Sequence, residues 1–100
     1  MVDIREMYEE KTEAQIQELE ARIQLLEAKA EKAKADAKIA YQKQLLELRE
    51  QQKEARSKLQ ELQEAGEDAW EDLKSGVEQA LADLNDGISA ASSRFQLETE

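Results

Sequence analysis

The sequence predicts an all-α protein in which long helix pairs as a coiled coil, and three features carry that prediction. Apolar residues recur at steps of three and four, proline is absent from all 100 residues, and Ala, Glu, Lys, Gln, Leu and Arg dominate the composition. A proline inside a helix costs about 3 kcal/mol, so a chain free of it meets no such interruption. Those six residue types are also the strong helix formers. Charged residues make up 38% and the net charge is −10, which would also suit a disordered chain. Ordered hydrophobic spacing decides against disorder.

The first segment, residues 1–64, reads as a heptad helix. From Ile16 the series Ile16, Leu19, Ile23, Leu26, Ala30, Ala33, Ala37 and Ala40 follows at steps of three and four. Spacing of 3.5 residues keeps one stripe turned toward a partner helix, whereas a strand would alternate every two residues. The register then slips: Ala33, Ala37, Tyr41 and Leu45 are spaced by four, a stutter that locally unwinds a supercoil. Heptads resume with Leu45, Leu48, Gln52, Ala55, Leu59 and Leu62, Gln52 being a polar residue on the seam. Between the leucine-rich stretches, residues 28–40 offer a seam made almost wholly of alanine. Each alanine buries little, so this middle is the weak part.

The second segment, residues 65–97, differs in pattern and charge. Eleven-residue blocks beginning at Ala65, Gly76 and Gly87 align Gly66, Val77 and Ile88; Ala69, Ala80 and Ala91; Trp70, Leu81 and Ser92; and Leu73, Leu84 and Phe95. A period of eleven predicts a straight or slightly right-handed apolar stripe. Lys74 and Arg94 are the two basic residues among residues 65–100, against nine acidic ones, so this third of the chain carries −7 of the net charge. Residues 98–100 are expected to fray. Gly66, followed by Glu67 and Asp68, is the place for a hinge or hairpin turn, because acids in a first turn favour the positive end of a helix dipole. Asn85-Asp86-Gly87 also resembles a helix stop, but the apolar pattern runs through it, which predicts continuity or a kink.

The composition narrows the chemistry. The chain has no cysteine and no histidine, so thiolate, zinc–thiolate and imidazole chemistry have no residue to use. Helical di-iron sites need Glu-x-x-His, and paired carboxylates need a dry concave site to part their pKa values. No catalytic, cofactor-binding or metal-binding residue is therefore expected. The run Asp83 to Gly87 imitates the opening of a calcium loop, but its glycine is one place early, and Arg94 stands where a bidentate glutamate is required. Lys29, Lys32, Lys34 and Lys38 form the one basic cluster, diluted by Glu31 and Asp36, in an acidic chain; nucleic acid is not an expected partner. The N-terminal sequence lacks a signal-peptide layout and no apolar run is long enough to span a bilayer, so a cytoplasmic location is expected.

The candidate self-association seam is Ile16, Leu19, Ile23, Leu26, Leu45, Leu48, Leu59, Leu62, Leu73, Val77 and Leu84. Trp70 stands apart. An indole fits badly in a plain two-stranded seam, so it is either part of a wider or splayed core or an anchor for a partner protein or a membrane interface.

The stretch Ala69-Trp70-Glu71-Asp72-Leu73-Lys74-Ser75-Gly76 resembles the A-W-x-D-L-K-x-G segment of small bacterial, notably cyanobacterial, coiled-coil proteins of the uncharacterised or stress-response type. Tyr8-Glu9-Glu10-Lys11, the Ala/Lys/Glu middle and Lys58-Leu59-Gln60-Glu61-Leu62 fit the same layout, so the likeness spans roughly residues 6–95. It implies a helical protein linked to stress and carries no catalytic or binding residues with it. The sequence thus predicts one long helix, or a hairpin folded near Gly66, acting as a non-enzymatic structural or interaction protein that forms homo-oligomers. An amphipathic protein that adsorbs to lipid or to exposed apolar protein surface is the alternative. The acidic polar face of residues 65–97 disfavours an anionic membrane surface.

Overall fold

The computed structural model describes residues 3–99 and shows three helices: α1 (Ile4–Glu31), α2 (Ala35–Glu64) and α3 (Glu67–Thr99). The chain folds back twice, so the expectation of one long helix is corrected. Glu27 of α1 meets Arg49 of α2, and Glu13 meets Arg56, which makes these two helices antiparallel. Tyr8 pairs with Glu78 and Arg22 with Asn85, so α1 and α3 run parallel. The bundle measures 52 × 22 × 16 Å.

The apolar stripes predicted from the sequence line the space between the helices. Ile16, Leu19, Ile23, Leu26 and Ala30 from α1, Tyr41, Leu45, Leu48, Ala55, Leu59 and Leu62 from α2, and Trp70, Val77, Leu84, Ile88, Ala91 and Phe95 from α3 form one core. At about 1.5–3 kcal/mol for each fully buried large aliphatic side chain, this stripe is the main stabilising term. Gln52 lies at its edge, half-buried, and its amide donates to Glu20 at 2.6 Å. In α3 the burial follows heptads: Trp70, Val77, Leu84 and Ala91 are spaced by seven, as are Ile88 and Phe95. Ala69, first of its eleven-residue set, is exposed. Steps of seven and of eleven each drift about 20° from whole turns, in opposite senses, so three repeats do not separate them on a helical wheel.

The first turn, residues 32–34, falls inside the alanine-rich middle and was not expected. Lys32 closes α1 through its backbone N–H to the Lys29 and Ala30 carbonyls, and Lys34 is extended at φ −66°, ψ 155° as α2 starts. No side chain caps this start. The break has a simple physical origin. A straight helix through residues 28–40 would bury only alanines along its seam, whereas a reversal there brings the leucine-rich stretches of α1 and α2 together. The second turn is at the expected glycine. Ala65 is extended, and the Gly66 carbonyl accepts from the backbone N–H groups of Ala69 and Trp70. Glu67 and Asp68 then sit in the first turn of α3, favourably placed for its dipole. The Asn85–Gly87 run lies within α3, and α3 continues through residues 98 and 99, where fraying was expected. Glu100 lies outside the described residues.

Two glycines make opposite demands. Gly66 has no positive φ, and nothing lies within 4 Å of where a Cβ would stand. At Gly87 a Cβ would come within 2.9 Å of Leu48 Cδ2 and 2.7 Å of Gln51 Oε1. Gly66→Ala should therefore stabilise the fold by about 0.4–1 kcal/mol by restricting the unfolded chain. Gly87→Ala should instead lose about 1 kcal/mol or more, because overpacking against the buried Leu48 outweighs the gain in helix propensity. Urea denaturation of both variants checks this, and equal shifts would contradict the close packing of α3 on α2.

Candidate functional site

Ten of the eleven predicted seam residues are buried, and Leu73 is half-buried against the same core. They pack within one chain. Heptad spacing fixes which face of a helix is buried and does not say whether the facing helix belongs to the same molecule. Tyr41, Phe95 and Thr12 are also fully or almost fully buried. Tyr41 stacks on Phe95 with ring centroids 3.8 Å apart, and its hydroxyl donates to the Phe95 carbonyl. This pair closes the bundle at the end where α2 begins.

Trp70 organises the other end. It is 8% exposed, and Tyr8 meets it edge-on with centroids 5.4 Å apart and a 74° interplanar angle. Arg5 lies 5.8 Å and Lys74 5.7 Å from the indole centroid, and the Lys74 ammonium is 4.9 Å from the Tyr8 ring. Cations on aromatic faces contribute about 0.5–2 kcal/mol each, depending on desolvation. Arg5 also donates to the Leu62, Gln63 and Ala65 carbonyls. Those groups lie at the C-terminal end of α2, where the Leu62 carbonyl also accepts from the Ala65 backbone N–H, so one side chain from α1 caps α2 and reaches Trp70 in the first turn of α3. The Trp70 N–H is buried without a hydrogen-bond partner among the described residues. Trp70 is thus placed in the core, at the junction of all three helices. Two of its partners, Tyr8 and Arg5, come from α1, some sixty residues upstream, a pairing that periodicity alone does not reveal.

The α1–α2 face carries a charged network. Arg56 donates to both Glu20, at 2.7 and 2.9 Å, and Glu13, at 2.9 and 3.0 Å. Arg49 pairs with Glu27. The hydrogen bonds from Arg56 are the main reason the Glu20 carboxyl titrates below its ordinary value. Bidentate arginine pairs of this kind fix register as well as adding stability.

Several open grooves lie between the helices. One of about 530 Å³ runs between α2 and α3 beside Asp36, Ile39, Ala40, Lys43, Gln44, Glu47 and Arg94. Among the described residues no group of three or more acidic side chains is placed to hold a metal ion, and no helix is long and apolar enough to cross a membrane.

Burial, followed by the hydrogen bond to Glu78 and repulsion from that carboxylate, pushes the Tyr8 hydroxyl up to about 12. An unfolded tyrosine loses its proton near 10, so the folded state holds the proton through the interval between. The contribution of Tyr8 is therefore fully present below pH 10 and is lost as pH rises toward 12. Tyr8→Phe should flatten part of the decline in stability across that interval, measured by urea denaturation at stepped pH; an unchanged slope would contradict a role for the half-buried tyrosine and its bond to Glu78. Comparison with protein-family models, with curated proteins and with solved structures gives no match for this chain.

Proposed function

We propose that the chain is a non-enzymatic structural and interaction protein: an acidic helical bundle that self-associates through its outer surface. The observation that carries this reading is that large aliphatic side chains remain outside after the core has closed. Ile4, Met7, Leu25, Ile39 and Leu46 are 56–81% exposed. Single exposed apolar residues are ordinary on protein surfaces. Ile39 and Leu46 differ because they lie two turns apart on one face of α2, where a second helix can cover both. A role under stress is what the resemblance at Ala69–Gly76 suggests.

A second reading, reversible adsorption to a lipid or apolar protein surface, is favoured by how α3 is held. The inter-helix ion pairs among the described residues run between α1 and α2. Among the described residues α3 is attached through apolar packing, the Tyr8–Glu78, Arg22–Asn85 and Tyr41–Phe95 hydrogen bonds and the aromatic contacts at both ends. Opening at residues 65–66 would free its stripe while leaving the charged α1–α2 pair closed.

One experiment addresses both. Sedimentation across a hundredfold dilution, with circular dichroism on the same samples, should show a mass that falls reversibly with dilution while helicity is kept. Constant monomer mass would contradict self-association. Repeating the run with zwitterionic and with anionic vesicles separates the readings: co-sedimentation with a blue-shifted or broadened Trp70 spectrum favours adsorption, and none with either vesicle removes its lipid form.

A further inference from the structure

α2 has a second heptad stripe, on the face opposite its buried one. Asp36, Ile39, Lys43, Leu46, Glu50 and Lys53 follow at steps of three, four, three, four and three, and all six are exposed. Ile39 and Leu46 are 64% and 66% exposed. The four charged members form no ion pair with another described residue. By contrast Arg49 and Arg56, toward the α1 side of the same helix, are fully engaged.

We propose that this stripe is the docking surface for a second copy of the chain, with the two α2 helices antiparallel. This inference rests on the self-association reading above and specifies its face. The order of charges selects both occupant and direction. In an antiparallel seam each first-position residue of the heptad faces a fourth-position residue of the partner. Asp36 then faces Lys53 of the second copy, Lys43 faces Leu46, and Ile39 faces Glu50, each twice by symmetry. The Lys43 stem covers Leu46 of the second copy, and its ammonium reaches Glu50 about one turn away. Ile39 and Leu46 from both copies gather around the two-fold axis. Parallel, in-register pairing would set Asp36, Lys43, Glu50 and Lys53 each against its own like charge, which is destabilising. The surface is self-complementary only in the antiparallel sense, as a two-fold interface requires.

The stripe from Asp36 to Lys53 is about 25 Å long at 1.5 Å per residue. With two aliphatic residues per copy it belongs with small, exchanging interfaces rather than permanent ones. Open grooves flank it on both sides, lined by Lys43 and Glu47 toward α3 and by Gln42 and Leu46 toward α1. They give the neighbouring side chains of a second bundle room to settle.

Sedimentation equilibrium on the full chain and three variants tests the proposal, with circular dichroism confirming that each keeps its helices. Every substituted side chain is outside the core. The wild type should dimerise reversibly. Ile39→Glu with Leu46→Glu should weaken the dimer at least tenfold. Lys43→Glu alone should weaken it severalfold, and Lys43→Glu with Glu50→Lys should restore it, because the exchange keeps the diagonal 43–50 contact between the two copies opposite in sign. A dimer unaffected by the Ile39/Leu46 variant overturns this face while self-association stands. Failure of the charge exchange to rescue overturns the antiparallel register. A wild type that stays monomeric throughout overturns both this face and the reading on which it rests.

Discussion

Everything in this molecule follows from the need to cover one apolar stripe that runs nearly the whole length of the chain. A helix bearing Ile16, Leu19, Ile23 and Leu26, or Leu45, Leu48, Leu59 and Leu62, is far from its most stable state alone in water. Two solutions exist: recruit other molecules, or fold back. Folding back avoids the translational and rotational cost of association, which runs to several kcal/mol. The alanine-rich stretch makes reversal cheap, because a straight helix gains least burial there.

Two devices then turn a generic apolar bundle into a specific one. Along α1 and α2, Arg49 and Arg56 grip Glu27, Glu20 and Glu13, and a slip by one helical turn would separate these partners. At the end where α2 gives way to α3, Arg5 donates to the Leu62 and Ala65 carbonyls while Tyr8, Lys74 and Arg5 surround Trp70. Exposed ion pairs are worth little singly, but a half-buried guanidinium serving two carboxylates fixes geometry. α3 is held mainly by shape, with Gly87 letting Leu48 and Gln51 approach closely. The α2–α3 contact is the one most sensitive to added volume.

Much of this was legible in the sequence. Heptad spacing identified the buried face of α1 and most of that of α2, and acidic residues after Gly66 marked the start of α3. The reversal at residues 32–34 was hidden because it uses neither glycine nor proline: Lys32, Ala33 and Lys34 all favour helix. The available clues were the alanine-only seam and the stutter from Ala33 to Leu45, both read as a weak coiled coil. The eleven-residue pattern in α3 located its buried face, with Val77 and Ile88, and Leu84 and Phe95, all in the core, but three repeats are too few to separate it from heptads. The Trp70 surroundings required knowing that α1 and α3 lie side by side, which is tertiary information. The charged stripe on the outer face of α2 was visible as spacing, but only the fold shows that this face stays uncovered.

The seam closes within one chain. Small-angle scattering at concentrations low enough to suppress association measures it directly. A monomer folded in this way has a radius of gyration close to the 16.0 Å of its Cα atoms and a longest extent near 52 Å, each slightly enlarged by side chains and hydration. A continuous helix would be about 140 Å long and give a radius of gyration of roughly 40 Å. Scattering of that rod-like kind, from a monomer or from a pair of extended helices, would contradict the fold and return the seam to contacts between molecules.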